Sequence, residues 1–259
     1  MTSTTPETER RPFRFWAAVF WLLVWQAASM ALKSWYPHGD LLLASPLATL
    51  RRLAELAVTA PFWAAAGRSA GHILAGFLLA CALASALAAL SARFERVREL
   101  LAPLVAVIKA VPVMSFIILA FLWVPTALLS MFIAGLMVFP PVYLNVLEGI
   151  RHTDPRLLEM ARVFRVPPGR CLRGLYVPQV LPYFRSACSL ALGLCWKSGV
   201  AAEVIGVIRG TLGEQLYNAK IYFETADLFA WTVTIVVLSA AFEKLFLRAV
   251  DALARKVGA

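Results

Sequence analysis

Apolar runs and short polar breaks alternate along almost the whole chain. The runs lie at about Phe15–Leu32, Ser69–Leu90, Leu100–Val124, Thr126–Leu147, Tyr183–Ile208 and Leu228–Leu247. Each falls in or close to the range of ~17–25 residues that an α-helix needs to cross ~30 Å of hydrocarbon. The pattern predicts an all-α membrane protein with six transmembrane helices. A polar tail at 1–14 precedes a single six-span domain at 15–250, and a second tail follows at 251–259. The least marked boundary is Trp123-Val124-Pro125, where almost nothing polar separates two runs. A tight turn at Pro125 resolves it, because the undivided run would be far longer than a bilayer requires.

Two polar stretches interrupt this pattern. Between the first two runs, Pro37, His38, Gly39 and Asp40 break the chain, and Ser45-Pro46 has the form of an N-cap followed by proline at the first helical position. From Leu47 onward, Leu50, Leu53 and Ala57 share one face, while Arg51, Arg52 and Glu55 lie elsewhere. A short helix on the membrane surface and an ordinary extracytoplasmic loop both fit. The second stretch, Asp154–Pro182, is the longest polar, arginine-rich piece of the chain. Asp154 and Pro155 suit a helix start. Leu157, Leu158, Ala161 and Phe164 give that helix an apolar face, and Val166-Pro167-Pro168-Gly169 ends it. A second short helix, Arg170–Tyr176, is expected to stop at Pro178 and Pro182.

Composition agrees with a membrane protein: 61% of the 259 residues are hydrophobic and 15% charged, against ~45–50% and ~25% in soluble domains. The formal charge of +10 could suggest nucleic acid as a partner. In a membrane chain, however, basic residues first report topology, because cytoplasmic loops carry excess Lys and Arg. With the amino end inside, 17 of the 25 basic residues are cytoplasmic, at 10–14, 93–98, 151–185 and 244–256, and six face outside. Both termini and the Asp154–Pro182 stretch are therefore expected in the cytoplasm. The first run has the basic-then-apolar order of a signal peptide, but its length and lack of an A-x-A site favour an uncleaved span.

No chemical engine is visible. The chain lacks a G-x-x-x-x-G-K-[ST] phosphate loop, an H-E-x-x-H pair and a G-x-S-x-G elbow. Cys81, Cys171, Cys188 and Cys195 form no pair with metal-ligand spacing and read as packing residues, so no metal site is expected. Small residues recur in the second run (Gly67, Gly71, Ala75, Gly76) and the fifth (Ala187, Ala191, Gly199, Ala202, Gly206). This spacing lets helices approach closely in lipid, either at a seam between two copies or within one bundle. Pro103, Pro112 and Pro125 should kink or end helices.

Three ionisable groups lie inside apolar runs: Lys109, Lys197 and Glu203. A charge at that depth costs at least ~2.5–3.5 kcal/mol on insertion scales, so it normally faces a bundle interior or a wet cavity. Lys109, Lys197 and Glu203, with nearby Trp123 and Trp196, could line a pathway; the lysines favour an anion such as a sulfonate, nitrate or carboxylate, and the tryptophans leave an aromatic vitamin precursor open. Alternatively, Glu203 could form a structural ion pair with a lysine. Lys197 and Glu203, six residues apart, stand about 240° apart around a helix, so that pairing would have to come from another span.

The run E-M-A-R-V-F-R-V…L-Y-V-P-Q-V-L-P resembles the EAA loop of ABC importer permeases. In that loop Glu-Ala-Ala, three residues and a Gly precede a hydrophobic-x-Leu-Pro signature. Glu159 and Ala161 match the pattern, and Val177-Pro178 stands for the Leu-Pro. Other pieces are similar to the nitrate/taurine/sulfonate branch: Leu42–Pro46, Gly71–Phe77, Pro103…Lys109-Ala-Val-Pro112 and Trp196–Glu203. The likeness covers about residues 40–250, in order. It implies a permease that pairs with a second copy of itself, binds two copies of a cytoplasmic ATPase that uses ATP and Mg, and receives solute from a periplasmic or lipid-anchored binding protein. Asp154, Leu158, Glu159, Met160, Ala161, Arg162, Phe164 and Arg165 would dock the ATPase. Two positions depart from the pattern. Met160 replaces the middle Ala, a mild change, and Arg165 replaces the Gly. A left-handed turn there costs a non-glycine residue ~1 kcal/mol or more. Either the turn moves to Pro167-Pro168-Gly169, or the loop is shaped for a particular ATPase. The rival reading is a self-sufficient secondary transporter or channel that couples ions to solute through Lys109, Lys197 and Glu203. A membrane anchor for a cytosolic complex is the third.

Overall fold

The computed structural model describes residues 15–36 and 39–257. Pro37 and His38 of the expected break, the tail at 1–14 with its arginines, and 258–259 lie outside the described residues, whereas Gly39 and Asp40, also expected to break the chain, open a short helix. The helices, in order, are α1 (Phe15–Trp35), α2 (Gly39–Leu42), α3 (Pro46–Ala57), α4 (Ala60–Arg93), α5 (Glu95–Ala110) and α6 (Val113–Phe121). They continue with α7 (Thr126–Arg151), α8 (Pro155–Val163), α9 (Pro168–Cys171), a π-helical turn (Leu172–Tyr176), α10 (Val177–Gly206), α11 (Leu212–Ile221) and α12 (Thr225–Val257). Four are long and apolar enough to span a bilayer, namely α1, α4, α7 and the continuous helix Pro168–Gly206; α5 with α6 gives a fifth if the bent pair is one crossing. The run expected at Leu228–Leu247 lies inside α12, a 33-residue helix.

Side-chain contacts set the directions of the helices. Gly76 of α4 lies on the backbone of Met131 and Gly135 in α7, and further along both helices the Tyr143 hydroxyl donates to Ser91 Oγ at 2.9 Å. Position therefore advances together along α4 and α7, so these helices run parallel, and α5 and α6 must carry the chain from one end of the bundle back to the other. α10 is antiparallel to α7: Ser130 meets Glu203 near one end, and Gly149 lies on the Tyr183 ring at the other. α12 reverses again, with Glu243 accepting from Ser189 Oγ at 3.2 Å and Asp251 paired with Arg185.

The core runs along α4, α7 and α10, with Ile73, Phe77, Val138, Val142, Leu192 and Trp196 buried between them. Gly76 is what permits the close crossing, since a Cβ there would collide with the Met131 carbonyl group. Gly199 and Gly206 also serve packing inside the bundle, against Ile73 and Leu129, whereas a Cβ added at Gly67 or Gly71 would meet nothing within 4 Å. The small-residue pattern thus divides: one part closes the bundle, and one part faces outward.

Helix α1 stands at the periphery, with Trp16, Phe20, Trp21 and Leu23 exposed. It is held at its carboxyl-terminal end, where Trp25 Nε1 donates to the Ala44 carbonyl at 3.0 Å and Ser29 Oγ to that of Leu43 at 3.0 Å. Of the two readings open for the segment after Ser45-Pro46, helix or loop, the structure has the helix, α3, and the Ser45 side chain accepts from Ala48 N at 3.2 Å. Arg52 on α3 grips Asp227 at the start of α12 through Nε and Nη2, with Nη2–Oδ2 at 2.9 Å, while its Nη1 donates to Glu55 Oε2 at 3.1 Å. The Asp227 and then the Glu55 carboxylates push the Arg52 pKa up from its ordinary value.

Several expected boundaries differ. The third run is not one straight helix: it breaks at Val111-Pro112, and α5 and α6 meet at 104°. Pro112 forces extended backbone on the residue before it, and Val111 sits at ψ 132. Pro103, by contrast, lies inside α5 without ending it. The second run starts earlier than Ser69, because Pro61 occupies the first turn of a helix that already begins at Ala60. Arg170–Tyr176 is not a separate helix stopped by Pro178 and Pro182. Pro168–Gly206 is continuous, with Pro178 in the first turn of α10 and Pro182 inside it. The π turn accommodates Pro178: Val177 N bonds to Leu172 O, five residues back, and the wider register relieves the need for an N–H at the next position, whereas Pro182 lies inside α10 without ending it.

Candidate functional site: the polar loop and the buried node

The loop between α7 and α10 is built on a rigid base. Thr153 is buried, and its Oγ1 donates to the Gly149 carbonyl at 3.4 Å. The Asp154 carboxylate accepts from Arg156 N at 2.9 Å and caps α8, with Pro155 in the first turn. The Asp154 amide in turn donates to Gln179 Oε1 at 2.9 Å, which fixes the start of α8 to the start of α10. His152 stacks on Tyr183 beneath this junction. The hinge of the loop is therefore tied to two long helices at once.

Helix α8 turns Ala161 inward, where it is buried, and keeps Leu157 and Leu158 half-buried. Glu159, Met160, Arg162, Val163, Phe164 and Arg165 all face out. Val163 and Phe164 are 78% and 75% exposed, and Met160 is exposed beside them. An apolar tip flanked by Glu159, Arg162 and Arg165 on a polar loop is the kind of patch that marks a protein interface. Arg165 itself has φ 50. Val166 N bonds to Ala161 O at 2.9 Å and Arg165 N to Arg162 O at 3.0 Å, the bond pair that closes a helix on a left-handed residue. The turn has thus not moved to Pro167-Pro168-Gly169; the arginine adopts the glycine conformation in place.

At the opposite end of the bundle, Glu203 is fully buried. Its Oε2 accepts from Ser69 Oγ at 2.7 Å and from Gly213 N at 3.2 Å, and its Oε1 accepts from Ser130 Oγ at 3.2 Å. Ser69 Oγ also accepts from Leu212 N at 2.8 Å. One carboxylate thereby joins α4, α7, α10 and α11, and the ion pair with Lys109 or Lys197 is not formed. Trp196 is buried in the core, while Lys109, Trp123 and Lys197 lie on the surface of the single chain. The five residues expected to line a pathway therefore separate into two inside the bundle and three outside it. Ser69 and Ser130 escaped the sequence reading. Their only signal was a hydroxyl in each of two apolar runs, and only the crossing of α4, α7 and α10 brings these to the depth of Glu203. Gln179 gave no signal at all, because its role depends on the fold of the loop.

Residues 73–259 match the family of binding-protein-dependent transport system inner membrane components. The chain belongs to this family. It is 26% identical over 227 residues to a probable ABC transporter permease protein of Brucella melitensis, covering 86% of this chain and 92% of that one. A riboflavin transport system permease protein of Chloroflexus aurantiacus is 28% identical over 235 residues, 88% of this chain and 86% of the relative. A putative aliphatic sulfonates transport permease protein of Bacillus subtilis is 29% identical, over 63% of this chain and 59% of the relative. Similarity to the sulfonate and bicarbonate permeases agrees with the nitrate/taurine/sulfonate branch. The permease is thus a multi-pass membrane component of a transport system.

Proposed function

We propose that this permease is the membrane subunit of an ATP-driven importer, working as a homodimer that binds two copies of a cytoplasmic ABC ATPase at the α8 loop. The observation that carries the reading is the exposed Met160–Val163–Phe164 tip on a loop anchored by Asp154 and Gln179 to α7 and α10. A partner that moves this tip pulls on both long helices, which is what a coupling element must do. ATP and Mg are used by the ATPase, and the docking residues on this chain are Asp154, Leu158, Glu159, Met160, Arg162, Phe164 and Arg165; Ala161, expected among them, is buried and seats α8 instead of meeting the partner.

In this reading the chain crosses the bilayer six times, with α5 and α6 as one broken crossing and both termini and the loop in the cytoplasm. The parallel course of α4 and α7 and the excess of basic residues on one side support it. Lys109 and Lys197, exposed on the single chain, would be costly against lipid. A second copy and a wet pathway between the two copies relieve that cost and favour an anion such as a sulfonate, nitrate or carboxylate. The riboflavin relative keeps an aromatic vitamin or its precursor in view, with Trp123 at the pathway mouth. Solute arrives on a periplasmic or lipid-anchored binding protein. Glu203 and Trp196 shape the pathway from inside the bundle. The secondary-transporter reading loses its coupling carboxylate, because Glu203 is closed in by hydroxyls and an amide and contacts neither lysine.

Deleting residues 156–165, or reversing Glu159 to Lys, should abolish uptake and ATPase co-purification while the chain still inserts. Normal uptake by the deletion would refute the proposal, as would ion-driven transport by the purified chain alone.

A further inference from the structure

Behind the coupling loop lies an apolar cavity of about 430 Å³, walled by the ends of α4 and α7, the π turn and the start of α10. Ser85, Val146, Leu172, Tyr176 and Phe184 line it, and Arg93 stands at its edge as the one charged lining residue. We propose that this cavity holds an acyl chain of an anionic phospholipid from the cytoplasmic leaflet, with Arg93 on the headgroup phosphate. The assignment rests on the cytoplasmic placement of the loop in the reading above.

Three observations converge on this occupant. The volume lies within the ~300–1,000 Å³ range of sites for small molecules, and the lining is almost entirely hydrocarbon, which suits a chain rather than a polar solute. Arg93 is exposed and, among the described residues, forms no ion pair; its guanidinium rests over the Phe94 ring at 5.4 Å. Arg96, Arg170 and Arg173 are also exposed and, among the described residues, unpaired. Arg96 follows Arg93 by three residues, Arg170 lies on α9 and Arg173 on the π turn, outside the cavity lining itself, and basic residues so grouped in the chain are of the kind that collects anionic headgroups at the cytoplasmic face. The π turn is itself part of the cavity wall. A bound chain would therefore press on the segment that joins α8 to α10, and lipid charge would bias the position of the coupling loop.

The test uses the purified full-length permease in nanodiscs of phosphatidylcholine, doped with a phosphatidylglycerol or a phosphatidylcholine that carries a photoreactive group on its acyl chain. Labelled peptides are mapped by mass spectrometry. The phosphatidylglycerol probe should label the 85–93 and 146–150 peptides several-fold more than the phosphatidylcholine probe. Arg93→Gln should reduce labelling to the phosphatidylcholine level, and Arg93→Lys should retain it. Ala89→Trp, which fills the cavity, should abolish it while labelling at the exposed Leu78–Leu83 face of α4 persists as the folding control. Equal labelling by both probes, indifference to Arg93→Gln, protection by inorganic phosphate alone, or cross-linking of these peptides to a second copy would each overturn the assignment. ATPase co-purification from the same membranes is scored separately, so loss of the importer reading is distinguishable from loss of this one.

Discussion

Arg165→Gly isolates the most unusual backbone feature of the coupling loop. Arg165 holds φ 50 at the end of α8, a conformation that costs an L-residue roughly 1–2 kcal/mol. Glycine removes that cost but adds freedom to the open chain, worth roughly 0.5–1 kcal/mol. Arg165 is exposed and, among the described residues, makes no ion pair, so little else is lost. The cap should gain about 0.5–1 kcal/mol, a factor of about two to five at ~1.4 kcal/mol per tenfold. Local opening is the right observable, because the two bonds that define the cap open without global unfolding. Hydrogen exchange in nanodiscs, corrected for the intrinsic rate of each sequence, should show the amides of Val166 and of position 165 two- to five-fold better protected in Arg165→Gly. Arg165→Ala, which keeps a Cβ in the left-handed region, should show no such gain. Unchanged or weaker Val166 protection in the glycine variant would refute the strained-cap reasoning.

Other substitutions test the packing and the buried node. Gly76→Val drives a side chain into the Met131 backbone and should lower thermal stability in detergent by about 1–3 kcal/mol or more, whereas Gly71→Ala, inside α4 and in open space, should not lower it and should raise it by up to about 0.5–1 kcal/mol. Glu203→Leu strands the Ser69 and Ser130 hydroxyls and the Gly213 amide, at about 1–3 kcal/mol for each unpaired group. Glu203→Gln keeps one acceptor, so size-exclusion melting should rank it between wild type and Glu203→Leu. A double-mutant cycle on Arg52 and Asp227 should give a coupling of about 1 kcal/mol, shrinking as salt is raised, since the pair is only partly buried.

Much of this architecture was legible because a bilayer demands long apolar helices. The runs around α4, α7 and α10 declared themselves by length, and the cap chemistry of Ser45-Pro46 raised a helix at α3 without excluding a loop. Proline was harder to read. Pro112 breaks a helix, Pro103 and Pro182 do not, and Pro178 follows directly on a π turn; which outcome occurs depends on the surrounding backbone and its register. The glycines pose a similar problem. Gly67-x-x-x-Gly71 has the familiar spacing, yet Gly76 makes the contact, because the crossing point of α4 and α7 is a tertiary fact. The polar partners of Glu203 come from three other segments, and no local pattern links them. Arg165 was visible as an exception, but only the bonds of Val166 and Arg165 to α8 show that the arginine itself takes the left-handed turn.

The central claim is that the exposed tip of α8 is the site where an ATPase drives transport. Phe164→Asp places a charge at the most apolar part of that tip while leaving the buried Ala161 and the Asp154–Gln179 tie intact. With the permease, its ATPase and its binding protein reconstituted together, ATP-driven uptake by Phe164→Asp should fall at least tenfold and the ATPase should no longer co-purify, with membrane insertion unchanged. Uptake and ATPase association at wild-type levels would contradict the account.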